Sequence, residues 1–205
     1  MKRLDIRRLS MCVLLGLASV SSTAAAQTYS ATLNGANEAT PNASAGTGFA
    51  LFVFDNVAHT LSIDASFSGL TSNATGAHLH CCTAAALAGT AGVASAVPAF
   101  VDFPLGVTNG TYTKTLDLTL ASSWNPAFVT ANGGSTAFAE LAFETGLNAG
   151  KVYFNIHTQP FPAGEIRGFV TTVPEPSTVL LMAGGLAAVG FMARRRRGVP
   201  SAPRA

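Results

Sequence analysis

Hydrophobic and polar side chains mostly alternate one by one between residues 27 and 172, as in strands with one buried face. Residues 60–68 show this best, because every second side chain from Leu61 to Phe67 is hydrophobic and those between are polar. On this pattern we predict strands at 29–33, 48–55, 60–68, 76–81 and 112–120, at 152–158 and within 162–170. Residues 48–55 are hydrophobic on both faces, which predicts a central strand covered on both sides.

Two segments carry helix signals instead. Residues 125–130 begin with Asn-Pro, and proline suits the first position of a helix. Residues 136–145 follow Ser135, a candidate N-cap, and precede Gly146, a candidate terminator. The inward face of this second helix is predicted to consist of Phe138, Leu141, Ala142 and Thr145, with Glu140 and Glu144 outside.

Seven or eight short antiparallel strands with one or two short helices predict a mainly β protein. Two sheets that each have one apolar face can bury those faces against each other, so we expect a Greek-key β-sandwich. The domain between the processing segments, residues 27–172, is long enough to bury a core of its own.

The composition narrows the functional classes. The chain of 205 residues is 48% hydrophobic, only 11% charged and contains 20 glycines, which is typical of an exported β-rich protein. Nine of the twelve Lys and Arg residues lie in the terminal segments. The domain between them has three basic and eight acidic residues, a net charge of −5. Such an acidic domain argues against nucleic-acid binding, which needs a basic surface.

The N-terminus has the three parts of a secretory signal peptide. Four basic residues lie within the first eight, an apolar run spans residues 11–20, and small residues follow. Cleavage is expected after Ala26, which leaves Gln27 as the first residue, with Ala24 as the other small side chain at the site. Residues 1–26 then direct export through the Sec machinery. The alternative is an uncleaved anchor.

The C-terminus carries a second processing segment. Its parts are the motif Val173-Pro174-Glu175-Pro176-Ser177, an apolar run at 178–193, the cluster Arg194-Arg195-Arg196-Arg197 and a tail at 198–205. The apolar run predicts a transmembrane helix of marginal length, since 16 residues rise about 24 Å against a hydrocarbon core of ~30 Å. The arginines predict that the tail faces the cytoplasm and the main domain lies outside.

The order of these parts resembles the PEP-CTERM sorting signal of Gram-negative bacteria. The resemblance implies recognition of Pro174-Glu175-Pro176 by exosortase, a membrane protease-transpeptidase. It also implies an intermediate anchored in the inner membrane, followed by release to the cell surface or an exopolysaccharide matrix. The alternative is a plain C-terminal membrane anchor.

The central domain contains two motifs in a defined order. The first is Ala77-His78-Leu79-His80, and the second is Val152-Tyr153-Phe154-Asn155-Ile156-His157-Thr158 followed by Gly164-Glu165-Ile166-Arg167-Gly168. Together they resemble the CHRD domain, named for its copies in chordin and also found in bacterial secreted proteins. The resemblance covers residues 29–170 and implies an immunoglobulin-like β-sandwich.

Three histidines predict a metal site. His78 and His80 are two residues apart, so their side chains project from one face of a strand. With His157 from another strand they offer three imidazoles, a ligand type that suits Zn and Cu. Glu165 is a candidate fourth ligand or a partner that orients a ligand histidine. The alternative is that the histidines make structural hydrogen bonds.

The histidine pattern also resembles the sandwich of copper-zinc superoxide dismutase, which uses H-x-H on one strand and a later histidine. That resemblance implies a redox role for a bound metal.

Two further pairs are predicted to be structural. Glu165 and Arg167 share a strand face and are expected to pair with each other. Cys81 and Cys82 lie in an oxidising compartment, where three arrangements are open: a vicinal disulfide, soft metal ligands beside His80, and pairing between chains. A vicinal disulfide is the first choice.

No set of residues predicts catalysis. We therefore expect a non-catalytic exported module of the cell surface or extracellular matrix that binds matrix polysaccharide or a surface protein. The alternative is a Cu- or Zn-binding β-sandwich protein with a redox role through His78, His80 and His157. Beyond such a metal, no cofactor is expected.

Overall fold

The computed structural model describes residues 26–174 and 176–197. Eight strands form one antiparallel sheet in the order β4-β6-β7-β1-β2-β3-β5, with β8 paired to β1. The strands are β1 (Gln27–Asn34), β2 (Thr47–Asp55), β3 (Thr60–Ser68), β4 (Ala74–His80), β5 (Gly110–Asp117), β6 (Tyr153–Thr158), β7 (Ile166–Phe169) and β8 (Thr171–Thr172). The predicted mainly β fold with a few short helices is confirmed.

The sheet is strongly curled. Phe52 of β2 and Phe154 of β6 are three strands apart, which is about 14 Å in a flat sheet, yet their ring centroids lie 5.9 Å apart. Phe100 bridges the two ends of the sheet, at 5.7 Å from Phe154 and 5.7 Å from Tyr112 of β5. The apolar faces of both halves therefore share one core, as the layers of a sandwich do, within one continuous sheet.

The alternating pattern gives the correct inward face where it is strict. All four hydrophobic side chains of β3 are buried. The prediction that β2 is covered on both sides is wrong, because Phe49 is 45% exposed and Leu51 is 38% exposed. Their face of the curled sheet points away from the core.

Segment 81–109, between β4 and β5, folds back along the edge strand β4. Backbone hydrogen bonds join Cys81 N–H to the Gly92 carbonyl and Ala94 N–H to the Leu79 carbonyl, and a parallel bridge links Ala77 to Ala99. These contacts satisfy the backbone groups of an edge strand, which would otherwise be open to pairing with another chain. They also hold the loop carbonyls against one face of β4.

Helix α1 (Pro126–Ala131) begins at proline as predicted, and the Ser135 side chain caps α2 (Thr136–Asn148) by accepting from Phe138 N–H. Two short 3-10 helices lie at Gly35–Asn37 and Ala121–Ser123. The prediction that α2 ends at Gly146 is wrong, because the helix continues for two more residues.

The predicted inward face of α2 is also wrong. Phe138 and Leu141 are each 58% exposed. The buried side is formed by Ala139, Glu140, Phe143, Gly146 and Leu147. Both faces satisfy helical spacing. Gly146 decides between them, because a Cβ there would lie 2.5 Å from Cys82 Sγ.

The third helix, α3 (Pro176–Arg197), includes the predicted apolar run and the arginine cluster. None of the helices in the described ranges has the length and apolar character needed to cross a membrane. Residues 1–25 of the predicted signal peptide, the motif residue Glu175 and the tail 198–205 lie outside the described residues.

Candidate metal centre

The three histidines lie on two paired strands at one edge of the sheet. In the antiparallel pairing of β4 with β6, His78 is opposite Asn155 and His80 is opposite Tyr153. Directly opposed residues project from the same face, and His157 follows Asn155 at a spacing of two. The strand geometry therefore places the three imidazoles on one face, beneath segment 81–109.

The structure brings these imidazoles together. Ring centroids are 4.8 Å apart for His78 and His157, 5.7 Å for His78 and His80, and 5.9 Å for His80 and His157. One nitrogen from each ring lies within 4.8 Å of the other two. His78 and His80 are buried and His157 is half-buried. The predicted convergence of the three histidines is present.

A backbone carbonyl binds one ring nitrogen of each histidine. His78 Nε2 contacts the Pro98 carbonyl, His80 Nδ1 contacts the Ala91 carbonyl at 3.0 Å, and His157 Nδ1 contacts the Pro162 carbonyl at 3.0 Å. A carbonyl oxygen can only accept, so each of these nitrogens carries a proton. In a neutral imidazole the other ring nitrogen then has a lone pair.

Two of these lone-pair nitrogens, His78 Nδ1 and His157 Nε2, are 3.1 Å apart. Two bonds of 2.0–2.1 Å to one tetrahedral ion place their nitrogens about 3.3 Å apart. The third nitrogen, His80 Nε2, is buried without a hydrogen-bond partner among the described residues. Carbonyl-anchored imidazoles with converging free nitrogens are the usual arrangement of metal-binding histidines. The residues fit a bound metal ion.

The electrostatic environment keeps the imidazoles in their metal-binding form. Burial lowers the pKa of His78 and of His80 to about 4, because a buried imidazolium loses its hydration. Burial also lowers the pKa of His157, against the opposing hydrogen bond to Pro162. The lowered pKa values favour the neutral form of the three rings at pH 7, the form that binds a metal ion.

An aromatic and cationic stack supports His80 from one side. The Tyr153 ring lies parallel to His80 at 4.6 Å between centroids, and the Arg167 guanidinium lies 4.6 Å from the Tyr153 ring centroid. Arg167 donates to the carbonyls of Asn37, at 2.9 Å, and Gly89, at 3.1 Å. These two hydrogen bonds fix the guanidinium in place.

Glu165 lies outside the group of potential metal ligands. Its fully buried carboxylate accepts three hydrogen bonds of 2.6 Å, from Ser44 Oγ, Thr71 N–H and Thr158 Oγ1. Burial raises the pKa of Glu165, but the hydrogen bonds outweigh this effect and the net pKa lies below the ordinary value. The structure gives this carboxylate a structural role in joining three segments.

The predicted pairing of Glu165 with Arg167 is corrected by these contacts, since the two side chains take different partners. The acidic group that interacts electrostatically with Arg167 is Glu38, whose carboxylate accepts from Asn155 Nδ2 at 3.2 Å. Burial raises the pKa of Glu38 to about 7, although the charge of Arg167 opposes the shift. Glu38 belongs to a loop in which the sequence shows no strand or helix signal.

In the structure a disulfide joins Cys81 to Cys82, directly after His80. The sulfurs pack on Gly146 of α2, where a side chain would collide with them. As a disulfide the two sulfurs are paired with each other, so neither is a thiolate ligand.

Sequence reasoning missed two groups that shape the site. Strand alternation places Tyr153 on the face of His157, so its proximity could have been inferred. The carbonyls of Ala91, Pro98 and Pro162 could not, because any residue supplies a carbonyl.

Fold and site together define a mainly β domain with a three-histidine cluster at one edge of a curled antiparallel sheet. The chain belongs to the CHRD domain family, which matches residues 29–170. A second match, to the PEP-CTERM protein-sorting motif, covers residues 172–197. No curated protein and no solved structure matches the chain.

The sorting motif bears on the export and processing of the protein. It implies export, sorting through a membrane-anchored state, processing by exosortase and a fate at the cell surface.

Proposed function

We propose that this surface protein is a non-catalytic metal-binding protein that holds a copper or zinc ion with His78, His80 and His157. The observation that carries the proposal is the convergence of three ring nitrogens whose partner nitrogens are anchored on backbone carbonyls. A purely structural role accounts for the carbonyl contacts. It does not account for His80 Nε2, which is buried with no hydrogen-bond partner in the described part of the chain, at a cost of about 1–3 kcal/mol.

The metal content of the purified protein tests this proposal. We expect the exported protein, purified from an oxidising compartment after exposure to Cu and Zn, to carry about one equivalent of metal. The double variant His78→Ala/His157→Ala is expected to carry less than a tenth of that amount. Elemental mass spectrometry measures both.

The fourth histidine provides a matched control. His59 Nδ1 contacts the Glu140 carboxylate at 3.0 Å on α2, and it is not in the cluster. His59→Ala is therefore expected to keep its metal. A wild-type protein that is folded by circular dichroism but metal-free under these conditions contradicts the proposal.

The place of action follows from the sorting signal. We infer an intermediate anchored in the inner membrane of a Gram-negative bacterium, which exosortase releases to the cell surface or the extracellular matrix. Export through the Sec machinery precedes this step.

A second proposed function is binding of a neutral matrix polysaccharide. The outer face of β2, β3 and β5 carries a shallow groove of about 600 Å³. Its lining combines the exposed ring of Phe49 with the hydroxyl and amide groups of Thr47, Ser66, Ser68, Asn109 and Thr111. An aromatic face surrounded by uncharged hydrogen-bonding groups suits a neutral sugar, which has both apolar C–H faces and hydroxyls.

Substitution of Phe49 tests this second function. Phe49→Ala is expected to weaken binding to a neutral exopolysaccharide about tenfold, the effect of losing about 1.4 kcal/mol of contact energy. Phe138→Ala is the matched control, since Phe138 is 58% exposed on α2, outside the groove. Co-sedimentation with the purified polymer gives the affinities. Equal affinities for the two variants rule out the groove as the binding surface.

A further inference from the structure

The proposed metal site has an uncharged ligand set. Three neutral imidazoles converge. The carboxylate of Glu165, eight residues after His157, already accepts hydrogen bonds from Ser44, Thr71 and Thr158. The one other buried side-chain atom without a partner among the described residues is Asn155 Oδ1. It is an amide oxygen, so a ligand set that included it would still be neutral.

The charged side chain that packs on the aromatic support of the site is a cation. Arg167 lies against Tyr153, which stacks on His80, and its two carbonyl contacts prevent it from turning away. Glu38, the acidic group that interacts with Arg167, accepts a hydrogen bond from Asn155 Nδ2 at 3.2 Å.

We propose that the site selects a monovalent ion, Cu(I), over the divalent ions Cu(II) and Zn(II). This inference rests on the proposed metal-binding function. The free energy needed to transfer an ion from water into a buried site grows with the square of its charge. It is therefore about four times as large for a divalent ion as for a monovalent one. Repulsion from Arg167 is about twice as large for a divalent ion.

Coordination number favours the same ion. A protein site for Zn(II) usually supplies four ligands, or three with an open position for water. This site supplies three imidazole ligands beneath segment 81–109. Three ligands complete the coordination of Cu(I). Arg167 is not a ligand of the ion. It acts on the ion only through its positive charge.

Competition with chelators tests the selectivity on the exported protein. Cu(I) is titrated anaerobically against bicinchoninate with ascorbate as reductant, which leaves disulfides intact, and Cu(II) and Zn(II) are titrated against chelators of known affinity. We expect the affinity for Cu(I) to exceed that for either divalent ion at least 100-fold. The copper-loaded protein is expected to show no Cu(II) signal in electron paramagnetic resonance.

Two variants of Arg167 test the contribution of its charge to the preference for Cu(I). Arg167→Met removes the charge and keeps most of the volume, and we expect it to reduce the preference for Cu(I) over Cu(II) about tenfold, equivalent to 59 mV for one electron. Arg167→Lys keeps the charge and is expected to keep the preference. If Arg167→Met does not fold, the comparison of Arg167→Lys with wild type and the wild-type affinities still decide the inference.

The possible failures are distinct. Tighter binding of Zn(II) or Cu(II) than of Cu(I) by wild type overturns the selectivity and leaves metal binding standing. Binding of no metal in any state overturns the proposed function, and the inference with it.

Discussion

Replacement of Glu165 by alanine is expected to lower the free energy of unfolding by on the order of 4 kcal/mol. The carboxylate is fully buried and accepts three short hydrogen bonds, from Ser44, Thr71 and Thr158. Hydrogen bonds to a charged group are each worth about 1.5–3 kcal/mol, and a buried donor without its acceptor adds a further cost. Urea unfolding followed by circular dichroism measures the loss.

The same carboxylate predicts a pH dependence. Because the folded pKa of Glu165 is lowered, its stabilisation is complete above the unfolded pKa of about 4.5 and is lost as the pH falls through the folded pKa. The stability difference between wild type and Glu165→Gln is therefore expected to be constant from pH 6 to 8 and to shrink below about pH 4.5.

The control for both measurements is Glu144→Ala. Glu144 lies on α2 and accepts one surface hydrogen bond, from Asn56, so its loss is expected to cost no more than about 0.5 kcal/mol. If Glu165→Ala loses no more stability than Glu144→Ala, the hydrogen bonds from Ser44, Thr71 and Thr158 to Glu165 do not stabilise the domain.

The strands and the histidine cluster could be predicted because both depend on a period of two. The alternation in 60–68 gives the bounds and the inward face of β3 correctly. The same rule places His78 and His80 on one face, and Tyr153, Asn155 and His157 on one face of a second strand. Pairing of β4 with β6 then joins the two sets.

The partners of Glu165 and Arg167 could not be predicted in the same way. A spacing of two suggests a shared face, but the partners come from the distant loop residues Asn37, Ser44 and Thr71. The pairing of β1 with β7, in which Asn34 is opposite Arg167, brings the segment after β1 to these side chains. Such a long-range contact leaves no local pattern in the sequence. The prediction of the inward face of α2 is wrong for a related reason. Contact with the Cys81–Cys82 disulfide determines which of two apolar faces is buried.

A substitution at Gly168 tests whether the curl of the sheet is as tight as the structure shows. Gly168 lies in β7 opposite Phe154 of β6. A Cβ added there would lie close to the backbone of Thr32 in β1, 2.8 Å from its carbonyl carbon and closer still to its oxygen. A backbone group cannot move aside as a flexible side chain does, so β1 and β7 would have to separate.

Gly168→Ala is therefore expected to destabilise the domain by at least about 3 kcal/mol. Separation of β1 from β7 would also displace Arg167, so any metal bound by the variant is expected to lose its Cu(I) preference. Gly92→Ala is the matched control, because a Cβ there meets nothing within 4 Å. Urea midpoints of the two variants compare them directly. Equal midpoints would mean that β1 and β7 lie farther apart than the structure shows.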